Sequence, residues 1–224
     1  MADGTTKAIL RAHGVPLVPE RVAGSIEEAI AAAEEIGFPV VLKGIGPAVA
    51  HKTEHGLVQL DVKDAVGVAA ACRAMRAGAG DLCDAFLVQP MLGCGLEFAI
   101  GIQSDPAMGP AVLLSFGGIF IEAFGAPVVE IAPIDAPTAE AMIRAVDHKD
   151  ILGGYRTGQR RDRRALAAAL VAAGRLAWNL RHRIESLDLN PIIVSERGAF
   201  AVDAVLALRV APGEANPQAP RGAR

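Results

Sequence analysis

The chain has 224 residues, 52% of them hydrophobic and 21% charged, enough to bury the core of one large domain or two small ones. A formal charge of −3 gives no electrostatic case for nucleic acid, whose backbone usually requires a basic face. No apolar run is long enough to cross a bilayer, so neither nucleic acid nor membrane is an expected partner. Residues 5–13 read as a helix that stops at Gly14, with Pro16 and Pro19 beyond. Residues 25–36 form a stronger helix: Ser25 is its N-cap, Glu28 stands three positions on, and Gly37 and Pro39 end it. Val40-Val41-Leu42-Lys43 is a short apolar strand, residues 44–56 a loop, 57–62 a strand and 64–76 an Ala-rich helix.

The middle of the chain reads as β. Candidate strands cover residues 86–89, 96–103, 111–116 and 128–132, separated by Gly and Pro. Helices return at 137–146 and 161–183, and a last strand pair, 191–194 and 199–205, surrounds Glu196-Arg197-Gly198. This order predicts an α+β architecture with antiparallel neighbours, not a doubly wound parallel sheet. Residues 1–210 are expected to form one domain with a small lobe over roughly 15–85. Residues 211–224, rich in Pro, Ala, Gly and Arg, read as a disordered tail. Cys72, Cys83 and Cys94 are odd in number and lack the spacing of a zinc site. They fit reduced thiols in a cytoplasmic protein, and residues 1–7 have no apolar signal core.

Five stretches offer chemistry. Lys43 ends an apolar strand, which suits a point charge aimed at phosphate; alone, it better fits a strand-end lysine reaching water. The loop at 44–56 carries His51-Lys52-Thr53-Glu54-His55 beside glycines, and an imidazole there can serve as base, metal ligand or phosphoryl acceptor. Gln89-Pro90-Met91 leads into a Gly-containing turn where an adenine can approach the backbone, and Glu97 can accept from ribose hydroxyls; an ordinary turn with an exposed glutamate fits as well. Gly117-Gly118 sits between apolar runs, where backbone N–H groups can face phosphate. Asp188 and Asn190 share a strand face. If Glu196-Arg197 is a two-residue hairpin loop, Asn190 falls opposite Asp203, and oxygen ligands converge as Mg²⁺ requires. A bulge at Gly198 would spoil that register, and Pro191 favours an edge strand.

In order, several segments resemble the ATP-grasp domain of the NDP-forming (ADP-forming) acyl-CoA synthetases, relatives of the succinyl-CoA synthetase β subunit. They are His13-Gly14-Val15-Pro16, Gly37-Phe38-Pro39-Val40-Val41-Leu42-Lys43, His51-Lys52-Thr53-Glu54, Val88-Gln89-Pro90-Met91, Gly117-Gly118, Gly154-Tyr155-Arg156 and Leu187-Asp188-Leu189-Asn190-Pro191. They span residues 7 to about 208. The resemblance implies an ATP-grasp fold of two α/β lobes enclosing ATP or ADP with Mg²⁺. Lys43, Lys52, Gly117, Gly118 and Arg156 would serve the phosphates, Gln89, Pro90 and Met91 the adenine, and Glu97 the ribose. Asn190 and Asp203 would hold Mg²⁺, with Asp188 nearby. His51 would carry a phosphoryl group.

The resemblance also implies a partner, because the family's CoA-binding parts have no counterpart here. That partner would be a CoA-binding α subunit bearing its own phosphohistidine, in an α2β2-type heteromer. Leu57, Ala126, Thr157 and Ser186 depart from the family pattern, and two of these changes remove carboxylates near the nucleotide. Another ATP-grasp carboxylate ligase and an inactive nucleotide-binding regulatory subunit are the alternatives.

Overall fold

The computed structural model describes residues 3–46, 56–79, 83–93, 95–118, 126–147, 149–155 and 158–209. Its contacts divide the chain into two units, Val18–Gly93 and the combination of Met1–Leu17 with Cys94–Arg224. The smaller unit ends later than the expected lobe because the strand at 85–90 pairs inside it. The first helix belongs to the larger unit.

In the smaller unit the elements are β1 (Arg21–Ala23), α2 (Ile26–Ile36), β2 (Val40–Ile45), β3 (Val58–Val62), α3 (Ala65–Ala79) and β4 (Ala85–Pro90), with α1 (Asp3–Ala12) preceding them in the chain. The sheet order is β1-β4-β2-β3, and every pairing is antiparallel. Ser25 caps α2 as expected: its Oγ accepts from the N–H of Glu28 at 3.1 Å, and Glu28 accepts in return from Gly24 N at 2.7 Å. The helix ends at Gly37, whose φ of +92° a side chain would resist. Asp64 caps α3 by accepting from Gly67 N at 2.7 Å.

Alternation then sorts the strands. Val40 and Leu42 of β2, with Phe86 and Val88 of β4, pack into the α2/α3 core beside Ala29, Ala33, Val68, Cys72 and Met75. Val41, Lys43, Leu87 and Gln89 therefore take the opposite face.

Around one core the larger unit gathers α1, β5 (Leu96–Asp105), β6 (Gly109–Phe116), β7 (Val128–Ile131), α4 (Ala136–Val146), α5 (Arg163–Asn179), β8 (Ile184–Ser195), β9 (Gly198–Ala201) and β10 (Val205–Leu208). Its sheet runs β10-β8-β5-β6-β7, with β9 also paired to β8, all antiparallel. Helices α4 and α5 cover one face, over Phe98, Ile100, Ile102, Val112, Leu114, Leu187, Leu189 and Ile192. The rings of Phe98 and Phe116 stack at 4.6 Å in that layer. Alternate residues Glu97, Ala99, Gly101 and Gln103 of β5 lie on the other, open face, with Asp188 and Asn190 of β8.

Three local expectations are corrected. Lys43 lies inside β2, which continues to Ile45, because Gly44 and Ile45 still pair with Phe86 and Ala85. Pro191 lies in an interior strand, β8, and not at an edge. Its missing N–H is tolerated because β8 carries an extra residue there. The β5 register shifts between Phe98↔Ile192 and Ile100↔Leu189, a bulge centred on Asn190-Pro191. The long last helix also stops earlier than its composition suggests, at Asn179 with Leu180 as C-cap. The expected tail at 211–224 lies outside the described residues.

Candidate functional site

In the larger unit a hairpin builds the polar cluster. Ser195 pairs with Gly198 across the two-residue loop Glu196-Arg197, and the register continues through Val194↔Ala199 and Ile192↔Ala201. Gly198 takes φ +132°, yet no residue is inserted. Val202 N donates to the Pro191 carbonyl at 3.1 Å, and beyond it Asp188 pairs with Val205 in the same register. Carried across residues 202–204, which lie between β9 and β10, the shared register sets Asn190 opposite Asp203. The bulge that shifts β8 against β5 leaves β8 in step with β9 and β10.

Asp188 is more than a third exposed as a residue, but its carboxyl end is partly stripped of water. This desolvation pushes its pKa above the ordinary aspartate value, and the negative charge of Asp203 pushes it further. One oxygen of Asp203 accepts from Ala204 N at 2.9 Å, which fixes its rotamer. Two carboxylates whose charges oppose one another and an amide thus lie close along this face, a set of hard oxygen donors that could hold a cation.

Among the described residues no three His, Cys, Asp or Glu side chains gather around one point. Mg²⁺ suits the smaller set, because it keeps several waters and takes one or two carboxylates together with phosphate oxygens. Ser186, one step back on the same face of β8, sits between Gln103 and Ala207 and supplies no third carboxylate.

Glu97 and the glycine pair lie on the same open face. Gly117 N donates to the Glu97 carbonyl at 2.7 Å, so this N–H closes the sheet ladder and does not point at phosphate, a correction to the reading of Gly117 as an anion donor. Gly118 takes φ +59°, and a Cβ there would stand 2.5 Å from Glu97 Oε2. Gly118 thus leaves room for the Glu97 carboxylate.

In the smaller unit Lys43 and Gln89 are both buried, on the sheet face opposite α2 and α3. Gln89 Nε2 donates to Glu20 Oε2 at 3.1 Å. Pro90 pairs with Val40, and Met91 N donates to the Pro39 carbonyl at 3.0 Å, which anchors the end of β4. Leu57 is fully buried; its Cδ2 lies 2.6 Å from where a Gly44 Cβ would be, and its carbonyl accepts from Gly44 N at 2.8 Å. A glycine at 57 would leave that space open.

His51, Lys52 and Arg156 lie outside the described residues. Sequence reasoning missed two residues. Glu20 precedes β1, a strand of three residues too short to show a period. Asp147 is a buried C-cap whose carboxylate accepts from Ile151 N at 2.7 Å and Leu152 N at 3.1 Å and so folds the turn ahead of Gly154-Tyr155. Burial raises its pKa against the pull of those two N–H groups.

With these geometries in hand, the comparisons decide the family. The model of the ATP-grasp domain matches residues 1–208. The chain belongs to the ATP-grasp family. It is 35% identical over 214 residues to the β subunit of an ADP-forming acetate–CoA ligase I from Pyrococcus furiosus, covering 93% of this chain and 91% of that one. Among solved structures, a dinucleotide-forming acetyl-coenzyme A synthetase 1 of Ca. Korarchaeum cryptofilum, in complex with coenzyme A, Ca-AMPCP and HgCl+, superposes with a TM-score of 0.83. It shares 35% identity and covers 91% of each chain. The same synthetase with coenzyme A and Mg-AMPPCP, its phosphohistidine segment pointing towards the nucleotide-binding site, gives a TM-score of 0.80 and 34% identity, covering 93% of this ATP-grasp chain and 92% of that one. Among the described residues, no helix is long and apolar enough to cross a membrane.

The raised pKa of Asp188 has a measurable consequence. Because the charged form is disfavoured in the folded state, Asp188→Asn should raise the melting temperature of the ligand-free ATP-grasp chain at neutral pH. The gain should fade as pH falls towards the ordinary aspartate pKa of about 3.9, where the carboxyl is protonated folded or unfolded. Thermal unfolding of both proteins from pH 4 to 8 checks this. A variant less stable than wild type at pH 7 would show that Asp188 supports the fold.

Proposed function

We propose that this chain is the nucleotide-binding subunit of an ADP-forming acyl-CoA synthetase, converting a carboxylic acid, CoA and ATP to acyl-CoA, ADP and phosphate with a CoA-binding partner chain. The observation that carries the reading is the register that sets Asn190 opposite Asp203 beside Asp188 on one open sheet face. The likeness to an acetate–CoA ligase β subunit across almost its whole length supports it. So does the likeness to a synthetase bound to coenzyme A and Mg-AMPPCP.

Each residue then has a physical task. Asn190 and Asp203 would hold Mg²⁺, with Asp188 adding charge, and the ion would neutralise phosphate oxygens. Lys43 places a cation within a buried surface, where its field is poorly screened and acts strongly on a phosphate. Glu97, given room by Gly118, would accept from ribose hydroxyls. Gln89, Pro90 and Met91 would line the base, and Lys52 and Arg156 would add charge along the phosphates.

His51 is the proposed phosphoryl carrier. Its neutral imidazole nitrogen forms a bond to the terminal phosphorus as the bond to the bridging oxygen breaks, and ADP leaves; phosphoryl transfer is chiefly positioning and charge neutralisation. The partner would be an α subunit with its own phosphohistidine, assembled as an α2β2-type heteromer in the cytoplasm. An inactive regulatory role is favoured only by the carboxylates missing at Ala126 and Ser186, whereas Lys43, Asn190 and Asp203 are all retained.

Two experiments test this reading. The isolated chain should bind ADP with Mg²⁺ in calorimetry yet form no thioester. Adding the CoA-binding partner should yield acyl-CoA with one ADP per turnover, and Lys43→Met should abolish it without loss of fold. Thioester formation by the chain alone, or full activity of Lys43→Met, would contradict the proposal. In the reconstituted enzyme with γ-labelled ATP, acid-labile, base-stable label should appear on this chain and vanish in His51→Asn, because asparagine can hydrogen-bond phosphate but cannot carry it. Near-normal turnover by His51→Asn would reduce His51 to a binding residue.

A further inference from the structure

The glycine pair that follows β6 is shaped around one side chain. In the β5–β6 ladder Phe98 pairs with Phe116, and just beyond it Gly117 N donates to the Glu97 carbonyl at 2.7 Å. A Cβ at Gly117 would lie 3.3 Å from both the carbonyl carbon and the Cβ of Glu97. At Gly118 the three atoms nearest to an added Cβ all belong to Glu97: Oε2 at 2.5 Å, Cδ at 3.1 Å and Cβ at 3.7 Å. Gly118 is itself exposed, so no packing in the core calls for a missing side chain there. What the missing side chain leaves free is the space beside the Glu97 carboxylate.

Glu97 stands on the open face of β5, because Phe98 takes the core. Among the described residues no donor or cation is paired with its carboxylate. An ionised carboxylate only accepts, so its natural partners are donors such as the hydroxyls of a sugar. Four residues along β5, Gly101 pairs with Asp188, about 13 Å away at the rise of an antiparallel strand. A sugar held at Glu97 can therefore extend its phosphates along the same face towards Asp188 and Asn190.

We propose that Gly118 is a positioning residue that keeps the Glu97 carboxylate in the place from which it accepts from both ribose hydroxyls, and so makes the chain select ribonucleotides over 2′-deoxyribonucleotides. The inference rests on the reading of Glu97 as the ribose acceptor. It gives the second glycine of the pair a task other than phosphate binding. A ribose offers the carboxylate two donors and a 2′-deoxyribose one. A residue that merely stabilised the turn would change the affinity for both sugars alike. A residue that places the carboxylate changes their ratio.

Filling position 118 is the decisive change. Gly118→Ala adds the Cβ that collides with Oε2, so the carboxylate has to move. The φ of +59° also strains an alanine. Gly118→Asn separates the two effects, because asparagine tolerates that left-handed backbone better than other side chains. The full chain is titrated by calorimetry with ADP or 2′-deoxy-ADP in the presence of Mg²⁺, after circular dichroism has shown each variant folded.

Wild type should favour ADP by about tenfold or more, the size of one hydrogen bond to a charged group. Both Gly118 variants and Glu97→Gln should reduce that ratio. Adding Gly118→Ala to Glu97→Gln should reduce it no further. A ratio unchanged in a folded Gly118 variant overturns the inference, and so does a further fall in the double variant, which would mean that Gly118 acts without Glu97. If neither Gly118 variant folds, an unchanged ratio in Glu97→Gln, whose backbone is untouched, overturns it. Equal binding of both nucleotides by wild type overturns it too, and leaves the functional reading standing. Failure of wild type to bind either nucleotide would instead remove the reading on which it rests.

Discussion

The two-residue turn at Glu196-Arg197 governs what the larger unit can do with a cation. Because Ser195 meets Gly198 directly, the pairs along β8 keep one register as far as Ser186↔Ala207, and Asn190 falls opposite Asp203 with Asp188 two residues away. One residue more in that turn would rotate the return strand by half a pleat and send Asp203 to the helix-covered side. The bulge at Asn190-Pro191 is placed where it disturbs only the β5 side of the strand. There it also absorbs the N–H that Pro191 lacks. The electrostatic cost of the arrangement is visible in Asp188, whose carboxyl is harder to ionise than an ordinary aspartate because of lost water and the charge of Asp203. Sites that hold like charges together without a counterion trade stability for affinity.

In the smaller unit the comparable constraint is alternation. One set of strand residues is committed to the Ala-rich core under α2 and α3, and this alone sends Lys43 and Gln89 to the other face. Small residues do much of the helix packing here, Ala29, Ala32, Ala33 and Ala71 among them, which fits a chain with few aromatics. The two faces then carry separate tasks, packing on one and polar chemistry on the other.

Much of this was legible in the sequence, and the exceptions have local causes. Ser25, Gly37 and the 40–43 run announced α2 and β2 because caps and apolar runs act within a few residues. The antiparallel α+β order followed from strands separated by short Gly- and Pro-rich links. The hairpin alternatives at Gly198 could be written down but not resolved, since a positive φ is shared by a bulge and by a two-residue turn. Pro191 was misleading because its exclusion from interior strands holds for regular ladders, and a bulge lifts it. β1 was invisible at three residues, and Glu20 with it. The assignment of β4 to the smaller unit depends on pairing with β1 and β2, a long-range fact that no local pattern encodes. At the site, residue types indicate which oxygens can serve a metal; only the register brings out which of them face one another.

The claim on which the functional reading turns is that Asn190 and Asp203 share a nucleotide-linked divalent ion. Crystals grown with Mn²⁺ and ADP, with anomalous data collected near the manganese edge, test it most directly. The expected result is a single strong peak about 2.1–2.2 Å from oxygens of Asn190, Asp203 and the nucleotide phosphates, a distance typical of small octahedral cations. A well-ordered nucleotide whose metal peak lies away from both side chains would contradict it.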